Sequence, residues 1–434
     1  MSVKPTAKVS SLHIYPIKST AGIKLHSTKI DALGLTFDRR FVVSDLSGQF
    51  ITARTEPKLC LVQTKLSPHG LTLSAPNMPT LALTYTAFTP HYQKVTVWGD
   101  SIDGQLCTEK ANSWFSEYLQ RPCILLFFGE DSYRERSANS DNARKLAFAD
   151  GYPLLLISQA SLDDLNARLL DSQPNSESCS NNIQEMVSMA QFRPNIVVEN
   201  TPPFAEDTWQ HIRIGDVEFK VSKPCERCVF TTINPKTGEK HPQQQPLRML
   251  TSFRQSPHGE VLFGQNLIAL NSGTINTGDE LTITSKQKPP IFIMSELVTQ
   301  TTTSATSNSK KVNNIENGDN LTDRIVDKSV SKKLNIVFEK WNKKYQIPSP
   351  TPNTNIQGNE QAKTLLENGE DAGLILPYSC RAGMCGRCKA KLISGEVKQL
   401  PIDGFNGLTA QEIDEGYILC CSTIAISDVV IKHT

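Results

Sequence analysis

Residues 377–389 read PYSCRAGMCGRCK, and residues 416–421 read GYILCC. In the first stretch Cys380, Cys385 and Cys388 stand at C-x4-C-x2-C, and Cys420 and Cys421 add a thiol pair further on. Three close cysteines and one distant one are the donor set that two sulfide-bridged irons require. Gly383 and Gly386 let the loop turn at positive φ and bring amide N–H groups toward the sulfurs. A zinc ribbon would need two C-x2-C pairs about 15–20 residues apart, and the pairs at 225/228 and 385/388 are far more distant. The stretch is therefore expected to hold a 2Fe–2S cluster.

Working outward, KKLNIVFEKW (332–341) reads as a strand, EQAKTLLE (360–367) as a helix, and GYILCCSTIAISDVVI as two strand-like pieces. Upstream, TQTTTSATSNS (299–309) and its polar surroundings cannot bury enough apolar surface to offset ordering, so 287–331 is expected to be a flexible linker. Before that, residues 11–281 are dense in short β-type runs: SLHIYPI, RRFVVSD, QFITAR, LCLVQTKL, KVTVW, LLLIS, NIVVEN, VEFKVS and ELTITS. Many alternate with period two and are punctuated by Gly, Pro or Asp. The best helical patterns are 108–119 and 161–170. The chain is expected to be mainly β with some α.

The chain has 434 residues, 38% of them hydrophobic, enough for about three domains. Lys and Arg number 45 against 44 Asp and Glu, so a net charge of +1 gives no reason to expect nucleic acid or an anionic membrane as partner. The longest apolar run, CILLFF at 123–128, is far short of the roughly 18 residues a spanning helix needs. The N-terminus lacks the apolar core and cleavage site of a signal peptide, which leads to the expectation of a cytoplasmic protein. The cysteines number 11. In a reducing compartment, clustered cysteines suggest metal or catalysis before disulfides. Cys60, Cys107 and Cys123 sit in apolar contexts and read as inert core residues, Cys179 as an exposed loop thiol. The remaining pair, Cys225 and Cys228 in VSKPCERCVFTT, is open on its own: a dithiol, half a zinc site, or structural. Arg227 and Lys223 nearby would depress a thiol pKa.

Two resemblances narrow this. The last hundred residues resemble a plant-type ferredoxin domain of β-grasp fold. Its closing motif, set against GYILCC, makes Cys421 the fourth cluster ligand beside Cys380, Cys385 and Cys388. The first 285 residues are similar to MOSC proteins with an N-terminal β-barrel domain, closest to the amidoxime-reducing component family and its bacterial YcbX-type relatives. The matching pieces are YPIKS (15–19), TARTEPKL (52–59), FADGYPLLLIS (148–158), ASLDDLNARL (160–169), FRPNIVVE (192–199) and CERCVFTTINPKTG (225–238). This implies an N-terminal MOSC barrel domain at 1–122, a MOSC domain at 123–286 and a ferredoxin-type domain at 332–434.

The family resemblance further implies a molybdenum–pterin cofactor whose metal is held by Cys228, with Cys225 only a neighbour. Lys18, Ser19, Arg54, Arg193, Asn195 and Arg227 would bind that cofactor, with Glu226 contributing backbone, and Asp150 would lie in the active-site loop. The implied reaction reduces an N–OH group of small N-hydroxylated bases, amidoximes or hydroxylamines to N–H plus water. Electrons would pass through the ferredoxin-type domain from a separate NAD(P)H flavoprotein reductase, since this chain has no GxGxxG nucleotide fingerprint. A monomer is expected. Two other classes are weighed beside this one: a sulfur carrier using a Cys228 persulfide, and a dithiol oxidoreductase using Cys225 and Cys228.

Overall fold

The computed structural model describes residues 6–136, 143–172, 186–293, 333–348, 363–400 and 406–433. Its largest sheet has eight strands, in the order Ile23–Leu25, Lys8–Ile14, Ile196–Glu199, Leu154–Ser158, Leu262–Ala269, Val217–Glu226, Trp209–Ile214 and Leu281–Lys286. Period-two alternation sends Leu12 and Ile14, and likewise Ile212 and Ile214, to one face. There they meet Trp209, Phe219 and Leu281 in a buried cluster. Leu154–Ser158 is buried at every residue and runs parallel to Ile196–Glu199, as befits a strand covered on both faces. Its second cover is the pair of helices Gln159–Asp171 and Leu247–Arg254, whose Leu162, Leu165, Leu247 and Leu250 pack over Leu155 and Ile157.

A four-stranded sheet follows the order Phe41–Ser44, Ile124–Phe127, Asp100–Leu106, Tyr92–Val97. The helix Glu109–Leu119 packs Trp114, Phe115 and Leu119 into the core with Phe41 and Leu125. Thr108 starts it by accepting the Ala111 N–H, and Gln120 at φ 56 ends it. The expected boundary at 122/123 cuts through this sheet, because Ile124–Phe127 pairs with Phe41–Ser44. Conversely, Lys8–Ile14 pairs with Ile196–Glu199 in the large sheet. The two N-terminal regions thus exchange strands, which a uniformly apolar run such as CILLFF does not announce.

Other expectations shift for local reasons. QFITAR forms only isolated bridges at Gln49 and Phe50, because the Thr52 hydroxyl accepts the Arg54 N–H and turns the chain. In LCLVQTKL, Pro57 opens a 3-10 turn, Pro57–Leu61, before the strand Gln63–Ser67. The helix read at 161–170 begins at Gln159, and Ser161 donates instead to buried Glu206 at 2.8 Å. The helix read at 360–367 is Leu365–Asp371, begun by a capping box of Thr364 and Glu367. Of the expected linker, 287–293 is tied to the core: Gln287 N–H donates to the Thr208 carbonyl and Ile293 N–H to that of Gln255. Residues 294–331, and Cys179, lie outside the described residues.

The C-terminal body is a five-stranded sheet, Lys343–Pro348, Lys333–Phe338, Val429–His433, Lys389–Ser394, Tyr417–Leu419, in which Lys333–Phe338 and Val429–His433 run parallel. Leu365 and Leu366 of the helix seat on Ile336, Phe338 and Ile431, so the sheet grasps the helix. No helix among the described residues is long and apolar enough to cross a membrane.

A buried ion pair ties the helix Leu247–Arg254 to the large sheet. Arg254 and Asp207 meet through two bonds of 2.7 and 3.0 Å, Gln265 donates to Asp207 at 2.7 Å, and all are nearly inaccessible. Arg254→Ala strands a buried carboxylate, so urea denaturation should show a loss of about 3–5 kcal/mol.

Candidate functional site

Loops flanking the strands of the large sheet line one cavity with about 850 Å³ of open volume including its mouth. Lys18 and Ser19 come from the loop after Lys8–Ile14, Arg193 and Asn195 from the loop before Ile196–Glu199, and Asp150 from the loop before Leu154–Ser158. Cys225, Glu226, Arg227 and Cys228 come from the end of Val217–Glu226 and just beyond it, and Arg54 crosses over from the other barrel region. Every residue singled out in the sequence for the N-terminal site therefore reaches one cavity wall.

Cys228 is the chemical centre of this wall. Arg54 Nε donates to its Sγ at 3.3 Å, from 174 residues away in the chain. Burial works against the thiolate, but the Arg54 charge and hydrogen bond, with the Phe230 N–H, hold the thiol below its ordinary value. The two cations read beside this cysteine pair go elsewhere than Cys228. Arg227 donates to Cys225 Sγ at 2.8 Å and to the Phe192 carbonyl at 2.6 Å, while Lys223 pairs with the Glu226 carboxylate at 2.7 Å. Both cysteines are free thiols.

Asp150 sits at the mouth, its side chain 58% exposed. Lys18 Nζ donates to its Oδ1 at 2.5 Å, Trp98 Nε1 to the same oxygen at 2.8 Å, and Arg54 Nη2 to its Oδ2 at 3.4 Å. Desolvation opposes the carboxylate, but Lys18 and Arg54 outweigh it and hold Asp150 well below the usual range. Lys18 also donates to the Phe148 carbonyl at 2.7 Å; burial pulls its ammonium down to about 8, with Asp150 partly offsetting. Lys18 is only 5% exposed.

Arg193 takes a left-handed backbone, φ 57, just before Pro194. Its guanidinium lies 4.0 Å from the Tyr15 ring and 5.2 Å from that of Phe230, and Nη1 donates to the Thr20 carbonyl. Its buried Nη2 has no partner, and neither does the buried Nε of Arg227. Buried polar atoms are nearly always paired. Two unpaired guanidinium donors in one cavity therefore fit an anionic group such as a phosphate. Burial and the neighbouring Arg39 lower Arg193 to about 10, a strain that an anion would relieve. Asn195 spends its side chain within the protein: Oδ1 accepts from Arg39 at 3.2 Å and from the Leu155 N–H at 3.1 Å, and Nδ2 donates to the His13 carbonyl at 3.2 Å. It braces the loop that carries Arg193.

Three further residues escaped the sequence reading. Arg39 lies 4.3 Å from the Tyr15 ring and reaches the Arg193 carbonyl at 3.2 Å. Arg134 secures the Asp150 loop through the Ala147 and Asp150 carbonyls at 3.0 and 3.2 Å. Trp98 stands at φ 51 in a two-residue hairpin turn with Gly99, a costly conformation for a bulky side chain. Only the last left a signal, a tryptophan where a tight turn wants Asn or Gly.

Residues 6–122 match the MOSC N-terminal beta barrel domain, 143–282 the MOSC domain, and 350–425 the 2Fe-2S iron-sulfur cluster binding domain. Mitochondrial amidoxime-reducing component 1 of Mus musculus is 36% identical over 289 residues, covering 62% of this chain and 80% of that protein. The same component of Homo sapiens is 35% identical over 288 residues, covering 62% and 81%. The chain belongs to the amidoxime-reducing component family. Mitochondrial amidoxime reducing component 2 of Bos taurus, at 33% identity over 288 residues, extends the match. Alongside the family's MOSC pair this member carries a cluster-binding domain, and the two together mark an oxidoreductase.

In that domain Cys380, Cys385, Cys388 and Cys421 are buried around one loop. Gly383 N–H points at Cys421 Sγ (3.2 Å), Ala382 and Cys385 N–H at Cys380 Sγ (3.4 Å each), and Cys421 N–H at Cys388 Sγ (3.4 Å). Gly383 and Gly386 sit at φ 74 and 72, and a Cβ on Gly386 would stand 2.8 Å from the Gly407 carbonyl oxygen. Cys420 faces away, toward His433 Nε2 at 3.7 Å. No three donors among the described residues converge as for a single ion. The thiols instead form a string, Cys385 to Cys380 to Cys421 to Cys388, linked by hydrogen bonds, which suits a pair of irons.

Proposed function

We propose that this chain reduces N-hydroxylated compounds, amidoximes and hydroxylamines among them, at a molybdenum–pterin cofactor held by Cys228. The reaction is R–NH–OH + 2 e⁻ + 2 H⁺ → R–NH2 + H2O. The observation that carries this reading is the Cys228 thiol, held low by Arg54, on the wall of a cavity that also presents two unpartnered guanidinium atoms. When bound, the cofactor supplies the two-electron change that cleaves the N–O bond.

The chain's own residues do the rest. A thiolate suits a high-valent metal that also carries sulfur donors, and Arg54 offsets the charge gathered there. Arg193 and Arg227 would hold the cofactor's anionic group through their unpartnered N–H donors, Lys18 would add a point charge, and Ser19 and the Glu226 backbone line the same wall. Asp150, ionised at the mouth, accepts hydrogen bonds from the N–H and O–H groups of an arriving substrate. An ionised carboxylate has no proton to give, so Asp150 does not supply the proton that joins the leaving oxygen. The ferredoxin-type domain supplies electrons one at a time, drawn from a separate NAD(P)H flavoprotein reductase in the cytoplasm.

The test is turnover of an aromatic amidoxime by purified protein. With NADPH alone no product should form; adding a ferredoxin-reducing flavoprotein should start turnover. Product from NADPH without a reductase would contradict the proposed electron source.

A further inference from the structure

The cluster loop is seated on the wall that carries Cys228. The N–H of Val229, next to Cys228, donates to the Cys380 carbonyl at 2.8 Å. Gln255 Nε2 donates to the Cys385 carbonyl at 3.3 Å, and Arg387 Nη1 reaches the His258 carbonyl at 2.7 Å and Glu260 Oε1 at 2.9 Å. Ala382, Met384 and Cys385 share a buried cluster with Leu247 and Leu250 of the MOSC core. Gly259, at φ 86, has room only for hydrogen, since a Cβ there would stand 2.9 Å from the Cys385 carbonyl oxygen. On the other flank Trp98 lies between two guanidinium groups, 4.5 Å from Arg54 and 4.9 Å from Arg381, with Tyr378 5.9 Å away. Arg54 touches Cys228, and Arg381 is the residue after Cys380. Among the described residues, none that lines the cavity comes from the ferredoxin-type domain, so the seat leaves the cavity itself free for cofactor and substrate.

Resting on the function proposed above, we infer that this face is the docking surface for the chain's own cluster loop, and that a seated loop is closed to the outside donor. In the seated loop the carbonyls of Cys380 and Cys385 and the cation of Arg387 are all engaged by the MOSC core, so that face of the loop is covered. The cluster carries one electron and the reaction consumes two. Each product therefore takes two visits: the flavoprotein reduces the undocked cluster by one electron, the loop seats, and the electron passes toward the Cys228 site. After the second visit two solvent protons complete N–H and water. The exposed Arg387–Glu260 pair contributes little on its own, which suits a seat that must release between visits.

The test uses the full-length protein loaded with cluster and cofactor, with Glu260→Arg and the charge-swapped pair Glu260→Arg/Arg387→Glu. Three quantities are read: hydrogen exchange at the Val229 amide and across 380–388, cluster reduction by the flavoprotein, and reoxidation of the reduced cluster by an amidoxime. In Glu260→Arg, exchange and reduction by the flavoprotein should each speed up about three- to tenfold, the range expected for reversing one exposed pair. Reoxidation by the amidoxime should slow by a similar factor, and the swapped pair should restore all three. Unchanged exchange in Glu260→Arg overturns the proposal, as does faster exchange with slower reduction by the flavoprotein. The exchange and reduction readings need no substrate, so they stand even if amidoximes prove not to be reduced. Iron content and the visible cluster spectrum identify a variant that has merely lost its cluster, and the swapped pair then decides.

Discussion

Cys228→Ser should abolish amidoxime reduction, by more than about a hundredfold in kcat/KM, while the protein keeps its iron. Groups that hydrogen-bond to metal ligands typically matter by about 10–100-fold, and a ligand should matter more. Molybdenum content should fall with the activity, because serine offers no soft thiolate. Stability should barely change, since Cys228 is only part-buried and a serine oxygen can still accept from Arg54 and the Phe230 N–H. Cys225→Ser is the matched control. Cys225 accepts from Arg227 and makes no contact with Arg54, so its loss should be mild. A dithiol mechanism would make the two variants equally dead.

The second large effect separates two adjacent cysteines. Cys421→Ser should strip or loosen the 2Fe–2S cluster and end turnover driven by the flavoprotein. A small chemical reductant that reaches the cavity directly should still support it. Cys420→Ser should keep the cluster, because that side chain points into the C-terminal core toward His433. Its cost is a hydroxyl buried among apolar groups, about 1–3 kcal/mol of stability. Iron content and visible absorbance of the two variants decide between them; loss of the cluster in Cys420→Ser would reverse the assignment.

The cluster site was legible because its chemistry is local: three of the four thiols lie within nine residues, and loop glycines accompany them. The cavity was legible residue by residue through YPIKS, TAR, FRPN and CERC, but not its wiring. Spacing says nothing of a hydrogen bond spanning 174 residues, so Arg54 emerged as the cation on Cys228 only once the fold was in view. That Asn195 also braces the loop, through three neighbours on its amide, was not legible in FRPN. Trp98 joins the hairpin, Asp150, Arg54 and Arg381, and belongs to no motif. The strand exchange between the two N-terminal regions was hidden for a related reason: an apolar run does not state which sheet it will complete.

The most direct test of the account is metal and pterin analysis of protein purified without oxygen from a host that makes the molybdenum cofactor. The account predicts one molybdenum with a pterin for every two irons, the molybdenum lost in Cys228→Ser and the iron kept. Two irons with no molybdenum in the unaltered protein would contradict it, and would point instead to a persulfide on Cys228.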